Sequence, residues 1–319
     1  MPGQLPFTNT RCWPRPSVPG VGRKPLLTRR AGEADGGLLA RLWTHTPGQE
    51  PTIAGVSSWF APHVILRHER SHDGDKCQIK RIVAVAALPK KMTTTRLDGK
   101  RVLLTQSNEF MGPALCDVFE RLGADVITDD RTLAHDPALP GAIVHGAGRV
   151  DVLLVHLALP APSTPAAEIG DAEWRDVFAH LVDPLPRLVA AVLPQMIERR
   201  SGRILVMGSA AALRGQKRTG SYSAARGAQL AYVQSVALEL APHGIQLNAI
   251  AQNFVANPTY YGPEVQANPR FQERLKREVP LGRLVSAEED ALFAAYLCSD
   301  AAACFIGQIF PLSGGWANR

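Results

Sequence analysis

Short apolar runs alternate with longer amphipathic runs from residue 97 to the carboxyl end of the chain. The short runs are rich in Val, Ile and Leu and carry little charge, as do strands that are buried on both faces of a parallel sheet. This alternation predicts an α/β fold, a doubly wound parallel sheet of Rossmann-like type with helices on both faces. The predicted strands are Arg101–Thr105, Ala124–Thr128, Asp151–His156, Arg203–Met207, Ile245–Ala251 and Gln308–Leu312.

The runs between the strands predict helices, so residues 92–319 form one Rossmann-like catalytic domain. In the longest helix Asp171 is a good N-cap, and Pro184, Pro186 and Pro194 should bend or split it. Ser221 is a plausible N-cap of the next helix. The predicted helices are Phe110–Leu122, Leu139–Ala147, Asp171–Arg199, Ser221–Ala241, Pro269–Glu278 and Ala287–Ser299.

The first 91 residues differ from the rest in charge and composition. They carry a net charge of +8, against −2 for residues 92–319, and 10 of the 25 prolines. Three interpretations are open: a disordered extension, a targeting segment, or upstream sequence translated in front of a natural start at Met92. We expect a disordered or non-native extension and favour the third interpretation. No nucleic-acid-binding motif accompanies the basic charge, so we expect no nucleic-acid partner.

Cysteine spacing and hydropathy exclude further classes of protein. The five cysteines lack the spacing of metal ligands, which predicts free thiols in a reducing compartment, no metal site and a cytoplasmic protein. No stretch holds 18 consecutive apolar residues, so we expect no membrane span. The cysteines are Cys12, Cys77, Cys116, Cys298 and Cys304.

Three residues around the fourth predicted strand have the chemistry of a proton-transfer site. Ser209 comes at the carboxyl end of the strand, where open α/β sheets bind their ligands. Tyr222 and Arg226 follow in the next helix, one turn apart, so that their side chains share a helix face. Arginine keeps its proton at physiological pH and would favour the phenolate form of the tyrosine. The pattern predicts Tyr222 as a general base or acid beside a fixed cation.

The first turn between strand and helix lacks the glycines that a dinucleotide needs. Such turns read G-x-x-x-G-x-G or G-x-G-x-x-G, because the backbone must approach a pyrophosphate closely. Here Thr105 and Gly112 enclose a turn in which Glu109 would repel a pyrophosphate and Phe110 would occupy its place. We therefore predict that the protein uses no cofactor. The alternative is a degenerate nucleotide fold that still binds a ligand weakly.

The segment after the third predicted strand is apolar and ends in Pro160. An apolar, proline-bearing wall suits a small organic substrate better than a nucleotide. We therefore expect Phe110 and Pro160 to line a substrate pocket at this end of the sheet.

The motif Ser209-x12-Tyr222-x3-Arg226, the strand end "LNAIA" and the sequence "FIGQIFPLSGG" resemble the short-chain dehydrogenase/reductase superfamily. That superfamily carries Tyr-x3-Lys and a glycine-rich first turn, and this chain departs from both. The departures are similar to those of the halohydrin dehalogenases, cofactor-independent relatives whose triad reads S-x12-Y-x3-R. Their first turn reads T-x4-F/Y-x-G, a pattern that the turn from Thr105 to Gly112 meets.

The resemblance implies a lyase that converts vicinal haloalcohols reversibly to epoxides and halide, and that opens epoxides with azide, cyanide or nitrite. It implies that Tyr222 is the general base, that Arg226 favours its phenolate, and that Ser209 binds the substrate oxygen. It also implies a halide site in the loop that follows the strand Ile245–Ala251. The residues that we predict there are Gln252, Asn253, Phe254 and Val255.

The resemblance further implies a homotetramer, with the helices Asp171–Arg199 and Ser221–Ala241 at the subunit contacts. The expected small-molecule partners are a haloalcohol or epoxide and a halide ion. Two alternatives stay open: an NAD(P)-dependent short-chain oxidoreductase with an unusual turn, and a non-catalytic binding protein that retains the triad. For Phe254, Tyr260 and Tyr261 the alternative is a packing role.

Overall fold

The computed structural model describes residues 65–73, 76–85 and 95–318. Contacts between residues divide the chain into two units, Met1–Val85 and Ala86–Arg319. The expectation for residues 1–91, a disordered or non-native extension, falls mostly on residues outside the described ones and stays a prediction.

In the first unit the described residues form an antiparallel hairpin that was not predicted. Strand β1 (Ile65–Asp73) pairs with strand β2 (Lys76–Val85) along its length, with an irregularity between His68 and Arg70. The first strand reads ILRHERSHD and is mostly polar or charged. Its hydropathy therefore has no period that indicates a strand.

The second unit is built on a six-stranded sheet in which all strands are parallel. The strands are β3 (Arg101–Thr105), β4 (Asp125–Asp129), β5 (Val152–His156), β6 (Gly202–Ser209), β7 (Ile245–Gln252) and β8 (Ile309–Leu312). Their order is β4-β3-β5-β6-β7-β8. The chain order reverses between β3 and β5, which opens a ligand-binding crevice at the carboxyl ends of the strands. The predicted doubly wound parallel sheet is confirmed.

Helices cover both faces of this sheet. One hydrophobic core lies beneath α2, α3, α4 and α5, and a second lies beneath α1 and α8. The helices are α1 (Gly112–Arg121), α2 (Leu139–Ala147), α3 (Asp171–Leu181), α4 (Pro184–Arg199), α5 (Gly220–Leu240), α6 (Pro263–Ala267), α7 (Pro269–Glu278) and α8 (Ala287–Cys298). The short α6 was not predicted, and the other bounds lie close to the predicted ones.

The predicted helix Asp171–Arg199 is divided into α3 and α4, as its prolines require. Helix α4 begins at Pro184, a residue that lacks an N–H and fits the first turn of a helix, while Pro194 lies inside it. The N-cap of α3 is Gly170 rather than Asp171. Asp171 is instead the first helical residue, where its negative charge complements the helix dipole.

The N-cap predicted for α5 is also corrected. The helix begins at Gly220 with Thr219 as N-cap, so Ser221 lies within the first turn. The Ser221 hydroxyl donates a hydrogen bond to Glu173 of α3. This contact between helices takes the hydroxyl away from the helix end and ties α5 to α3.

The segment Asp171–Arg199 is apolar and long enough, by length and composition alone, to cross a membrane. In the structure it is two helices, and apolar side chains such as Leu188 and Val189 are fully buried in the first core. The segment therefore has the properties of core helices that cover a parallel sheet.

Candidate active site

A pocket of about 250 Å³ opens at the carboxyl ends of the strands. His156, Ser209 and Gln252, the last residues of β5, β6 and β7, line it together with Phe110 from the turn before α1. Sheets of this order bind their ligands at this position. The volume suits a small organic molecule.

Ser209 is nine-tenths buried and brings a hydroxyl to the pocket. Its Oγ accepts a hydrogen bond from the main-chain N–H of Ala211 at 3.2 Å. Because the hydroxyl only accepts in this contact, its proton is available to a ligand.

Tyr222 and Arg226 lie one turn apart on α5, and both line the pocket. Only 8% and 6% of their surfaces are exposed, so they are not the ordinary surface pair that the spacing alone would allow. The guanidinium carbon of Arg226 lies 5.1 Å from the centroid of the Tyr222 ring, within the range of a cation–π contact.

Arg226 has no carboxylate partner among the residues that the structure describes. Its Nη1 donates to the main-chain oxygen of Met207 at 3.2 Å and to Oε1 of Gln229 at 3.0 Å. Its Nη2 donates to the main-chain oxygen of Leu157 at 3.0 Å, and its Nε has no acceptor in that part of the chain. A buried charge without a counter-ion is strongly unfavourable. The site therefore favours a negative charge in the pocket.

The turn between β3 and α1 keeps the backbone of a phosphate-binding turn. Gln106 and Phe110 have φ angles of 49° and 43°, in the left-handed region that favours glycine. They stand where the pattern G-x-x-x-G-x-G has its first two glycines. The third position is Gly112, where a Cβ would lie 2.0 Å from the main-chain oxygen of Ser107.

The turn carries engaged side chains where a dinucleotide-binding turn has glycines. Oε1 of Gln106 accepts the main-chain N–H of Ala158 at 2.6 Å. The Phe110 ring lies in the pocket, 5.3 Å from the ring of Tyr260. Asp130, an acid after β4 that could bind a ribose, accepts hydrogen bonds from the turn itself. These residues do not fit a dinucleotide.

His156 lines the pocket although no sequence motif singled it out. Its main-chain N–H donates to Oγ1 of Thr105 at 3.0 Å, and its Nδ1 donates to the main-chain oxygen of Gln106 at 3.0 Å. Burial, with a smaller contribution from the charge of Arg226, lowers the pKa of His156 to about 4. The imidazole is therefore neutral, and its Nε2 is an acceptor. His156 ends a predicted strand, and this position in the sequence could have indicated it as a pocket residue.

The loop after β7 brings the four predicted halide-site residues to the pocket. These residues are Gln252, Asn253, Phe254 and Val255. The main-chain N–H of Asn253 donates to Leu312 at 3.1 Å, and that of Phe254 donates to Oδ1 of Asn253 at 2.9 Å. Among the described residues no acceptor takes Nδ2 of Asn253 or the N–H of Val255. These two groups are the donors that the loop can offer an anion.

Aromatic rings form much of the remaining wall. The Phe254 ring is almost fully buried and lies 6.1 Å from that of Tyr261 and 6.0 Å from that of Trp316. The Oη of Tyr260 accepts the main-chain N–H of Ala161 at 2.7 Å. Burial raises the pKa of Tyr261 to about 12 and also raises the pKa of Tyr260. Both phenols are protonated at neutral pH, and both rings line the pocket.

Of the predicted site residues, Pro160 is the one outside the pocket, and its placement is corrected. Pro160 is exposed, whereas its neighbours Leu159 and Ala161 line the pocket. Adjacent side chains of a non-helical segment point in different directions, as they do in a strand. The lining also includes residues that no motif indicated: Gln216, Asn257 and Arg274.

One cluster away from this pocket has the side chains of a metal site. A ligand atom from each of His135, Asp176 and His180 lies within 4.8 Å of the other two. The carboxylate oxygen of Asp176 is 3.4 Å from a ring nitrogen of each histidine. His135 and Asp176 are exposed, so the three side chains form a polar cluster at the surface.

The chain was compared with known proteins. A profile of the family described as enoyl-(acyl carrier protein) reductase matches residues 93–317. The 3-oxoacyl-(acyl-carrier-protein) reductase FabG of Pseudomonas aeruginosa is 32% identical over 246 residues, which cover 69% of this chain and 98% of that protein. The 2-keto-3-deoxy-L-fuconate dehydrogenase of Xanthomonas campestris is 29% identical over 248 residues, which cover 70% of this chain and 82% of that protein.

Solved structures show the same fold. One described as a dehalogenation enzyme is 32% identical with a TM-score of 0.65, covering 69% of this chain and 99% of that chain. A halohydrin dehalogenase bound to ethyl (2S)-oxiran-2-ylacetate shares the fold at 24% identity, with a TM-score of 0.63 and coverage of 69% and 98%. From the family match over most of its length and from its six-stranded parallel sheet, the chain belongs to the short-chain dehydrogenase/reductase superfamily.

Proposed function

We propose that the protein is a halohydrin dehalogenase. It converts vicinal haloalcohols reversibly to epoxides and halide, and it opens epoxides with small anions such as azide, cyanide and nitrite. The observation that carries the proposal is the buried guanidinium of Arg226, which contacts Tyr222 and has no carboxylate partner among the described residues. The proposed reaction uses a phenolate as base and releases a halide, and an unpaired buried cation would stabilise both anions.

The proposed reaction moves a proton and a halide, and no hydride. Tyr222, as phenolate beside Arg226, removes the proton from the substrate hydroxyl. The resulting oxygen attacks the neighbouring carbon as the carbon–halogen bond breaks, and the halide leaves with the bonding pair. Ser209 donates a hydrogen bond to the substrate oxygen and positions it. In the reverse direction Tyr222 is the general acid.

The loop after β7 supports the proposal, because it offers donors and an apolar wall to the leaving halide. Nδ2 of Asn253 and the N–H of Val255 are the donors without an acceptor in the described chain. Phe254 supplies an apolar surface that excludes water. A hydrogen bond to an anion is stronger in such a dry environment than in water. The similarity at 32% identity to a dehalogenation enzyme, which this chain matches over 99% of its length, points the same way.

An NAD(P)-dependent oxidoreductase is the second candidate. Its support is the 32% identity to a 3-oxoacyl-(acyl-carrier-protein) reductase over 98% of that protein. Against it stand the side chains of Gln106 and Phe110, which fill the turn where a dinucleotide would bind.

The deciding experiment measures halide release from 1,3-dichloro-2-propanol without added nucleotide. We expect turnover by the wild-type protein and its loss, by about 1,000-fold or more, in Tyr222→Phe, because the general base is gone. Tyr232→Phe is the matched control, since Tyr232 lies on α5 outside the pocket and should change little. No halide release, together with tight binding of NADPH in a fluorescence titration, would favour the oxidoreductase.

We propose that the protein is cytoplasmic and a homotetramer. Helices α3 and α5 pack together and carry exposed apolar side chains, with 43% of Trp174 and 70% of Leu238 exposed. Such side chains are typical of a surface that contacts another subunit. Light scattering coupled to gel filtration tests the mass, and Leu238→Glu should reduce it if α5 lies in a subunit contact.

A further inference from the structure

We propose that Asp290 is a positioning residue, whose proton decides which end of the Gln252 side-chain amide faces the anion end of the pocket. Gln252 ends β7 and lines the pocket, whereas Asp290 lies behind it on α8. The identity of the anion as a halide rests on the proposed function, but the geometry of the pair does not.

Asp290 is an isolated carboxyl in the interior. None of its surface is exposed, and α8 packs in the second hydrophobic core. One carboxyl oxygen accepts Nε2 of Gln252 at 2.5 Å, and the other, Oδ1, has no partner in the described part of the chain. A carboxylate in such surroundings is strongly unfavourable. A proton removes the charge and gives the carboxyl a hydrogen to donate.

Charged side chains on the elements packed against α8 are engaged elsewhere. Their pairs are Arg121 with Asp117 and Glu288, Arg203 with Asp300, Arg283 with Glu289, and Glu120 with Cys116. Burial raises the pKa of the Cys298 thiol on α8 to about 12, so it stays neutral. On the pocket side of Gln252 the charged groups are Arg226 and Arg274, and His156 is neutral. Among the described residues Gln252 is therefore the polar side chain that responds to the proton of Asp290.

The burial of Asp290 raises its pKa from 3.8 to about 7. The raised pKa means that the neutral carboxyl predominates in weakly acidic solution and the carboxylate in weakly alkaline solution. Both forms are therefore present around neutral pH, where a small change in acidity shifts their ratio.

The two forms present opposite ends of the amide to the pocket. A carboxylate can only accept, so it takes Nε2 of Gln252, as in the structure, and leaves the amide oxygen for the pocket. A neutral carboxyl donates its proton to Oε1, which turns the amide and leaves the NH₂ group for the pocket. Amide N–H groups attract an anion and an amide oxygen repels one. Bromide should therefore bind more tightly as Asp290 takes up its proton.

The test is bromide binding to the full chain by calorimetry between pH 5.5 and pH 8.5 at constant ionic strength. It is made in the Tyr222→Phe background, in which the pocket has no phenol at that position. We expect bromide affinity to fall by about fivefold or more across this range, the scale of a coupling between two sites. In Asp290→Asn the affinity should be independent of pH, because asparagine does not ionise and its hydrogen bond with the Gln252 amide is the same at every pH.

Two further variants complete the experiment. Gln252→Met should also abolish the pH dependence, and at pH 5.5 it should lower the affinity, because methionine removes the donor even if Asp290 still titrates. Glu288→Gln, an exposed acid on the same helix, should keep the pH dependence. If Asp290→Asn folds and keeps the wild-type pH dependence, the inference is overturned. Because the readout is binding, loss of pH dependence in Asp290→Asn supports the inference even if no haloalcohol is turned over.

Discussion

Replacing Asp290 by asparagine has an effect on stability that can be worked out from the structure. The pKa of this carboxyl is raised by burial from 3.8 to about 7, so the folded state holds a proton that the unfolded state has lost. Ionising this buried carboxyl destabilises the folded wild-type chain. The destabilisation is absent below pH 3.8, grows as the pH rises, and is complete above pH 7. Within this window each pH unit lowers the free energy of unfolding by about 1.4 kcal/mol. Between pH 5 and pH 8 the free energy of unfolding of the wild-type chain should fall by about 2 to 3 kcal/mol because of this residue.

Urea unfolding at a fixed protein concentration, repeated from pH 5 to pH 8, measures this quantity. Asparagine does not ionise, so the free energy of unfolding of Asp290→Asn should rise relative to that of the wild type by about 2 to 3 kcal/mol across the range. Glu288→Gln is the control: this glutamate is exposed on the same helix, and because the variant retains Asp290 it should keep the pH dependence of the wild type. A constant difference between the wild type and Asp290→Asn would refute the reasoning, since the carboxyl would then titrate as it does in water.

Two other substitutions test the turn and the halide loop. Gly112→Ala should lower the free energy of unfolding by about 3 kcal/mol or more in chemical denaturation, because its Cβ would overlap the main-chain oxygen of Ser107. Gly141→Ala in α2, where nothing lies within 4 Å of the new Cβ, should not lower it. Asn253→Ala should weaken bromide inhibition of halide release about tenfold, the scale of one hydrogen bond to a charged group. Asn108→Ala outside the pocket should leave it unchanged, and an equal effect in both would contradict the assignment of the donor.

The order of strands and helices could be predicted because hydropathic periodicity is a local property of the chain. The same holds for Tyr222 and Arg226, whose shared helix face follows from their spacing alone. The turn after β3 could be interpreted for a related reason: a phenylalanine where glycine is expected changes what that turn can bind. In each case neighbouring residues carry the information.

The features that were missed depend on contacts between distant residues. Ser221 has the side chain of an N-cap, but Glu173 of α3 takes its hydroxyl and the helix begins earlier. Glu288, Glu289 and Asp290 read as the solvated acidic first turn of a helix. Glu288 and Glu289 are exposed in this way, whereas Asp290 is buried against Gln252, a residue 38 positions away in the sequence. No local pattern distinguishes the third from the other two.

The turn after β3 has the backbone shape that glycines usually produce, although other residues occupy two of the glycine positions. Gln106 and Phe110 hold a left-handed backbone that costs an L-residue about 1–2 kcal/mol, offset by the hydrogen bond to Ala158 and the contact with Tyr260. Exchanging both residues for glycine would keep the path of the backbone and remove the two side chains from the turn. Glu109 and the contacts of Asp130 with the turn would still oppose a pyrophosphate. What such a turn binds can therefore change one residue at a time in evolution while the loop keeps its fold.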